Sequence, residues 1–162
     1  MRTLIILLLI MLANQAFSHH ELANRNIENG HDNYQKNCVS CHGVNLEGQA
    51  NWRSPNEAGT LPALPHDETG HTWHHDTEML FDYTKLGGQL TLEAIGVKNF
   101  ISGMPGFKNV LTDEQIWEIL AFIRSTWPMH IKDAHATLHQ FASEKCETYP
   151  SYTCLCIRFL WQ

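Results

Sequence analysis

The clearest hydrophobic pattern in the chain lies just before Pro128. Ile116, Ile119, Leu120, Ile123 and Trp127 recur at the spacing of one face of an α-helix. Thr112 or Asp113 stands where a cap would accept a free amide, and acidic side chains fill the first turn. Pro128, which has no amide hydrogen, stops the helix. A second helical pattern runs from Asp76 to Leu86, with Leu80 and Tyr83 on one face and Gly87-Gly88 at its end. No stretch alternates apolar and polar positions as a half-buried strand does. The pattern predicts an all-α chain.

The N-terminus has a different pattern. Arg2 precedes an unbroken apolar run from Leu4 to Leu12, and Ala16-Phe17-Ser18 follows with small residues. This is the three-part layout of a secretory signal, with cleavage expected after Ser18. The run falls short of the roughly 20 residues that a membrane span needs. The expected organisation is a signal peptide at 1–18, one domain at 19–128 and an extension at 129–162. The destination is then the periplasm. An uncleaved N-terminal anchor is the alternative. Within the extension only a short helical piece, near Ala134 to Phe141, is expected.

Composition narrows the partners. Hydrophobic residues make up 43% of the chain, enough for a core, and charged residues only 17%, too few for disorder along its length. The formal net charge is −6, and acids outnumber bases two to one between residues 19 and 128. No basic block is present, which argues against nucleic acid. A partner with a basic docking face fits better, because opposite fields speed encounter.

Cys38-Val39-Ser40-Cys41-His42 carries the chemistry, as the C-x-x-C-H pattern of covalent haem attachment. Two thiols three positions apart on a helical turn reach the two vinyl groups on one porphyrin edge. The adjacent His42 then supplies a nitrogen to the iron. A C-x-x-C pair also serves as a redox dithiol or as half of a zinc site. The first usually follows a strand in a βαβ setting, and the second needs another ligand pair at fitting spacing. The chain offers neither, and an export signal suits haem attachment. The best candidate for the sixth iron ligand is Met104, in the Gly/Pro-rich segment Ser102-Gly103-Met104-Pro105-Gly106-Phe107. The rivals are Met79, Met129 and several histidines, of which Met79 lies in a helical pattern and reads as core. With both axial positions filled by protein, the site is a one-electron centre with no open position.

On these motifs the chain resembles the class I c-type cytochromes over roughly residues 28 to 128. Cys38, Cys41, His42 and Met104 stand in that family's order. Gly30 and Tyr34 match its small residue and aromatic on the first helix, and Ile119 and Phe122 match positions on its last helix. The resemblance implies an all-α fold around one covalent haem c, with these two helices crossing at close range. It also implies that a proline carbonyl accepts a hydrogen bond from the proximal histidine. Pro62 and Pro65 are the candidates, with Pro65 favoured.

The segment His66-Asp67-Glu68-Thr69-Gly70-His71-Thr72-Trp73-His74-His75-Asp76 admits three readings. It is a structural loop with Trp73 packed near the haem, a copper or zinc site, or a docking surface whose charge responds near neutral pH. Arg53 is a candidate partner for a haem propionate, or a solvated loop residue. Cys146, Cys154 and Cys156 form no second haem motif; in an oxidising compartment two can pair and leave one thiol over.

The expected function is single-electron transfer between a donor and an acceptor protein, not catalysis. Membrane association would come only through partner complexes or an uncleaved signal. The alternatives are a haem subunit of a larger oxidoreductase, and a metal-handling or sensor protein using the His66–His75 loop.

Overall fold

The computed structural model describes the backbone of residues 21–148 and the side chains of residues 21–138. The signal segment, Cys154 and Cys156, and the side chain of Cys146, lie outside that description. Among the described residues the secondary structure is helical, with no strand. The helices are α1 (Ile27–Asn37), α2 (Val39–His42), α3 (Thr77–Leu86), α4 (Gly88–Ala94), α5 (Asp113–Thr126) and α6 (Met129–Thr148), with a 3₁₀ turn at Thr72–His74.

The helix starts follow their capping chemistry. Asn26 accepts from the Asn29 amide at 3.0 Å to begin α1. Asp76 accepts from the Met79 amide at 2.8 Å to begin α3. At α5 the cap is Thr112, and its side chain and that of Gln115 each bond the other's backbone amide. The apolar stripe of α5 is buried throughout: Ile116, Ile119, Leu120, Ile123 and Trp127 all belong to the core, together with Tyr34, Leu46 and Leu111. Met79 is buried as well, as its helical position implies.

The principal packing contact is α1 against α5. At their crossing Gly30 faces the backbone of Glu118, where a Cβ would lie 2.1 Å from the Glu118 carbonyl oxygen. Only a residue without a side chain permits this approach. One turn further on, Tyr34 is fully buried, and its ring lies 5.5 Å from that of Phe122 on α5.

Two elements differ from expectation. Gly87-Gly88 does end α3, but Gly88 also begins α4, which carries little apolar periodicity of its own. Its register is held from outside, by the Thr91 hydroxyl donating to the Asp82 carbonyl at 3.1 Å. The second difference is α6, a 20-residue helix where only a short piece near Ala134 to Phe141 is expected. Pro128 stops α5, yet its carbonyl accepts the amides of Ile131 and Lys132 at 3.1 Å and so opens α6. Ile131 joins the core, and the ring of the buried His135 meets Trp127 edge-on at 5.1 Å. These contacts are tertiary, and so the weak amphipathic pattern of the segment does not show them.

Replacing Gly30 by Ala is expected to force α1 from α5 and to cost about 1–3 kcal/mol in denaturant unfolding, with Val costing more. An unchanged midpoint for both variants would contradict the crossing.

Candidate haem site

Cys38, Cys41 and His42 are gathered by one helical turn. The amides of Cys41 and His42 donate to the Cys38 carbonyl at 3.1 and 2.9 Å. The buried Tyr34 closes the turn from below, its hydroxyl donating to the Gly43 carbonyl at 3.0 Å. Cys38 is half-buried and Cys41 exposed. Burial, then the neighbouring Cys41, pushes the Cys38 thiol up to about 12.

His42 is 8% exposed. Burial lowers its pKa, opposed by a hydrogen bond in which Nδ1 pairs with the Leu64 carbonyl at 2.8 Å. A neutral imidazole donating from Nδ1 keeps the lone pair on Nε2, the form a metal requires. The acceptor differs from the expected Pro65: it is the residue before it. Pro65 still matters locally, because a proline biases its predecessor to extended backbone. The surrounding ladder then sets the height of Leu64. Gln49 donates to the Ala63 carbonyl and His66 to the Leu46 carbonyl, each at 2.8 Å. Gly48, at φ +68°, passes so close that a Cβ would lie 2.5 Å from the Pro65 nitrogen.

Met104 is half-buried on a separate segment tied to the α3–α4 corner. Its carbonyl accepts from the Gly88 amide at 3.1 Å and its amide donates to Ser102 Oγ at 3.3 Å. Ser102 Oγ in turn lies 2.9 Å from the Tyr83 hydroxyl, and its amide donates to Gln89 Oε1 at 3.0 Å. The Phe107 and Lys108 amides donate to Thr84 and Lys85 carbonyls at 3.0 Å. The loop is thus anchored at both ends, independently of the Cys38–His42 turn.

The donor set fits a covalent haem: two cysteines one helical turn apart, followed by an imidazole whose Nδ1 is committed to the Leu64 carbonyl. A family model described as cytochrome c matches residues 27–127. The chain belongs to the cytochrome c family. No curated protein and no solved structure gives a match. The all-α fold is the family's, and its cofactor is covalently bound haem c. The match ends at residue 127, whereas α6 continues from Met129.

The histidine-rich segment divides in two. His66 joins the Cys38–His42 turn, with its ring stacked on that of His42 at 4.0 Å and 22°. Nothing in the sequence separates it from the other histidines. His71, His74 and His75 cluster with one another: His71 stacks on His74 at 4.7 Å and meets His75 edge-on at 4.9 Å. Trp73 stacks on His74 at 3.7 Å, and its Nε1 donates to the Glu68 carbonyl at 3.2 Å. Among the described residues no group of three or more His, Cys, Asp or Glu side chains is arranged to hold a metal ion. The contacts of this segment are those of a structural loop. Arg53 lies over the ring of Trp52 at 3.8 Å and reaches the Thr69 carbonyl at 3.4 Å, tying the preceding loop to this segment.

Burial, then the neighbouring His71 and His74, lowers His75 to about 4. The unfolded chain binds a proton at this residue between about pH 6.5 and 4, and the folded chain does not. Its contribution to stability is therefore full above pH 6.5, falls as the pH drops to 4, and totals on the order of 3 kcal/mol. His75→Gln is expected to flatten the pH dependence of denaturant unfolding across this window. A parallel profile for variant and wild type would refute it.

Proposed function

We propose that the protein is a one-electron carrier of the periplasm, with a single haem bound to Cys38 and Cys41 and its iron ligated by His42 and Met104. The observation that carries this reading is the His42 Nδ1 hydrogen bond to the Leu64 carbonyl, which aims a lone pair from a buried, neutral ring. Haem c supplies a one-electron couple. The chain holds that couple between two ligands whose backbones are anchored before any electron arrives, so little rearrangement accompanies transfer. The His42 hydrogen bond makes the imidazole a stronger donor, while a thioether from Met104 favours the ferrous state. Together they close the iron to small ligands, which favours a carrier over a peroxidase or gas sensor.

The chain's negative charge suits transient docking to donor and acceptor proteins, at least one of which presents a basic face. Among the described residues no helix is long and apolar enough to cross a membrane. The apolar Leu4–Leu12 run supports export, with the mature chain starting at residue 19.

The ferric protein is expected to show a weak near-infrared band of sulfur-to-iron charge transfer that Met104→Ala abolishes. Carbon monoxide should bind the reduced variant readily and the reduced wild type poorly. A wild type that lacks the band, or binds carbon monoxide at once, would move a haem enzyme subunit or sensor ahead of the carrier. Fractionation of expressing cells should recover the haem protein from the periplasm with His19 at its N-terminus. Retention of residues 1–18 in a membrane fraction would instead establish an anchor.

A further inference from the structure

We propose that His66 is a positioning residue that sets the plane of the His42 ring, and that Thr72 and Trp127 clamp it for that purpose. This rests on the reading of His42 as an iron ligand.

The Leu64 carbonyl holds one edge of His42 but does not by itself fix its plane, because a ring with a single hydrogen bond still tilts about that bond. The flat face of His66, 4.0 Å away and 22° from parallel, removes this freedom. His66 is itself tied at three points. Its amide donates to the Leu46 carbonyl at 2.8 Å. Its carbonyl accepts from Trp127 Nε1 at 2.7 Å. Its Nδ1 lies 2.7 Å from the hydroxyl of Thr72, a residue only 4% exposed. The Thr72 hydroxyl also lies 3.4 Å from the Pro65 carbonyl. Together these contacts hold the His66 ring in its orientation.

The clamp draws on parts of the chain that haem attachment leaves unexplained. Thr72 comes from the histidine-rich segment, inside the 3₁₀ turn against which α6 packs. Trp127 is buried at the end of α5, with the ring of His135 from α6 against it. The segment beyond the family match therefore buttresses the residue that holds the His66 carbonyl. A leucine or alanine at position 66 would fill space beside His42 without offering a flat, tethered face.

In a low-spin ferric centre the planes of the axial ligands govern the anisotropy of the iron g-tensor and the spread of haem methyl proton shifts. These readouts separate positioning from simple packing. Full-length ferric wild type, His66→Leu, Thr72→Val and Trp127→Phe should be compared by electron paramagnetic resonance and proton NMR. All are expected to keep covalent haem and a low-spin iron. His66→Leu should alter the g-values and the order or spread of the methyl shifts. Thr72→Val and Trp127→Phe, which keep the His66 ring but cut one tether each, should move both in the same direction by less. If His66→Leu does not fold, the two tether variants decide. Lower thermal stability with wild-type g-values and methyl shifts would overturn the proposal. A His42→Ala variant whose ferric spectrum matches the wild type would overturn the ligand reading beneath it, and is distinguished by that control.

Discussion

The backbone of α1 lies against the backbone of α5 at Gly30 and Glu118, and the rest of the molecule depends on that contact. A methyl group at Gly30 would occupy the space of the Glu118 carbonyl. Because the helices meet this closely, Tyr34 reaches full burial one turn later, and its hydroxyl reaches the Gly43 carbonyl. Gly43 immediately follows His42. The crossing therefore fixes the end of the turn that carries Cys38, Cys41 and His42. A haem site on so short a helix has no rigidity of its own, since four residues form barely one turn. It borrows rigidity from the α1–α5 pair.

The His42 and Met104 segments are organised by different means. Around His42 lies a layered stack: the Leu64 carbonyl at the edge of its ring, the His66 ring on its face, and Thr72 and Trp127 behind His66. Within that stack His42 Nδ1, His66 Nδ1 and the Trp127 indole each have a named partner, as a buried network requires if it is to stabilise and not strain the fold. The Met104 side is a loop pinned to a helix corner through backbone amides and one hydroxyl pair. Both arrangements set the positions of His42 and Met104 from outside those residues, as a protein does when it tunes a centre whose chemistry belongs to the cofactor.

The segment from His66 to His75 shows how one composition serves two ends. His66 turns inward to the His42 imidazole. His71, His74 and His75 pack ring upon ring with Trp73, and burial lowers the pKa of each. Imidazoles packed in this way lose stability on acidification, because the unfolded chain gains protons that the folded loop refuses.

Resemblance to the family pointed to the small residue at Gly30. By itself the sequence determined the C-x-x-C-H motif at Cys38, Cys41 and His42, the α-helical class, the α5 stripe with its start at Thr112 or Asp113, and the helical pattern from Asp76 to Leu86. Each is a local signal: a spacing, a period or a cap acts over a few residues and leaves its mark there. Only the tertiary structure decided that Leu64 and not Pro65 meets His42, that His66 parts company from the other histidines, that Gly88 opens α4, and that Pro128 begins a long α6 as well as ending α5. These depend on which backbone atoms come to rest beside one another after distant segments pack. Hydrogen bonds between segments tens of residues apart, such as Trp127 to His66, leave no periodicity in the chain from which they could be read.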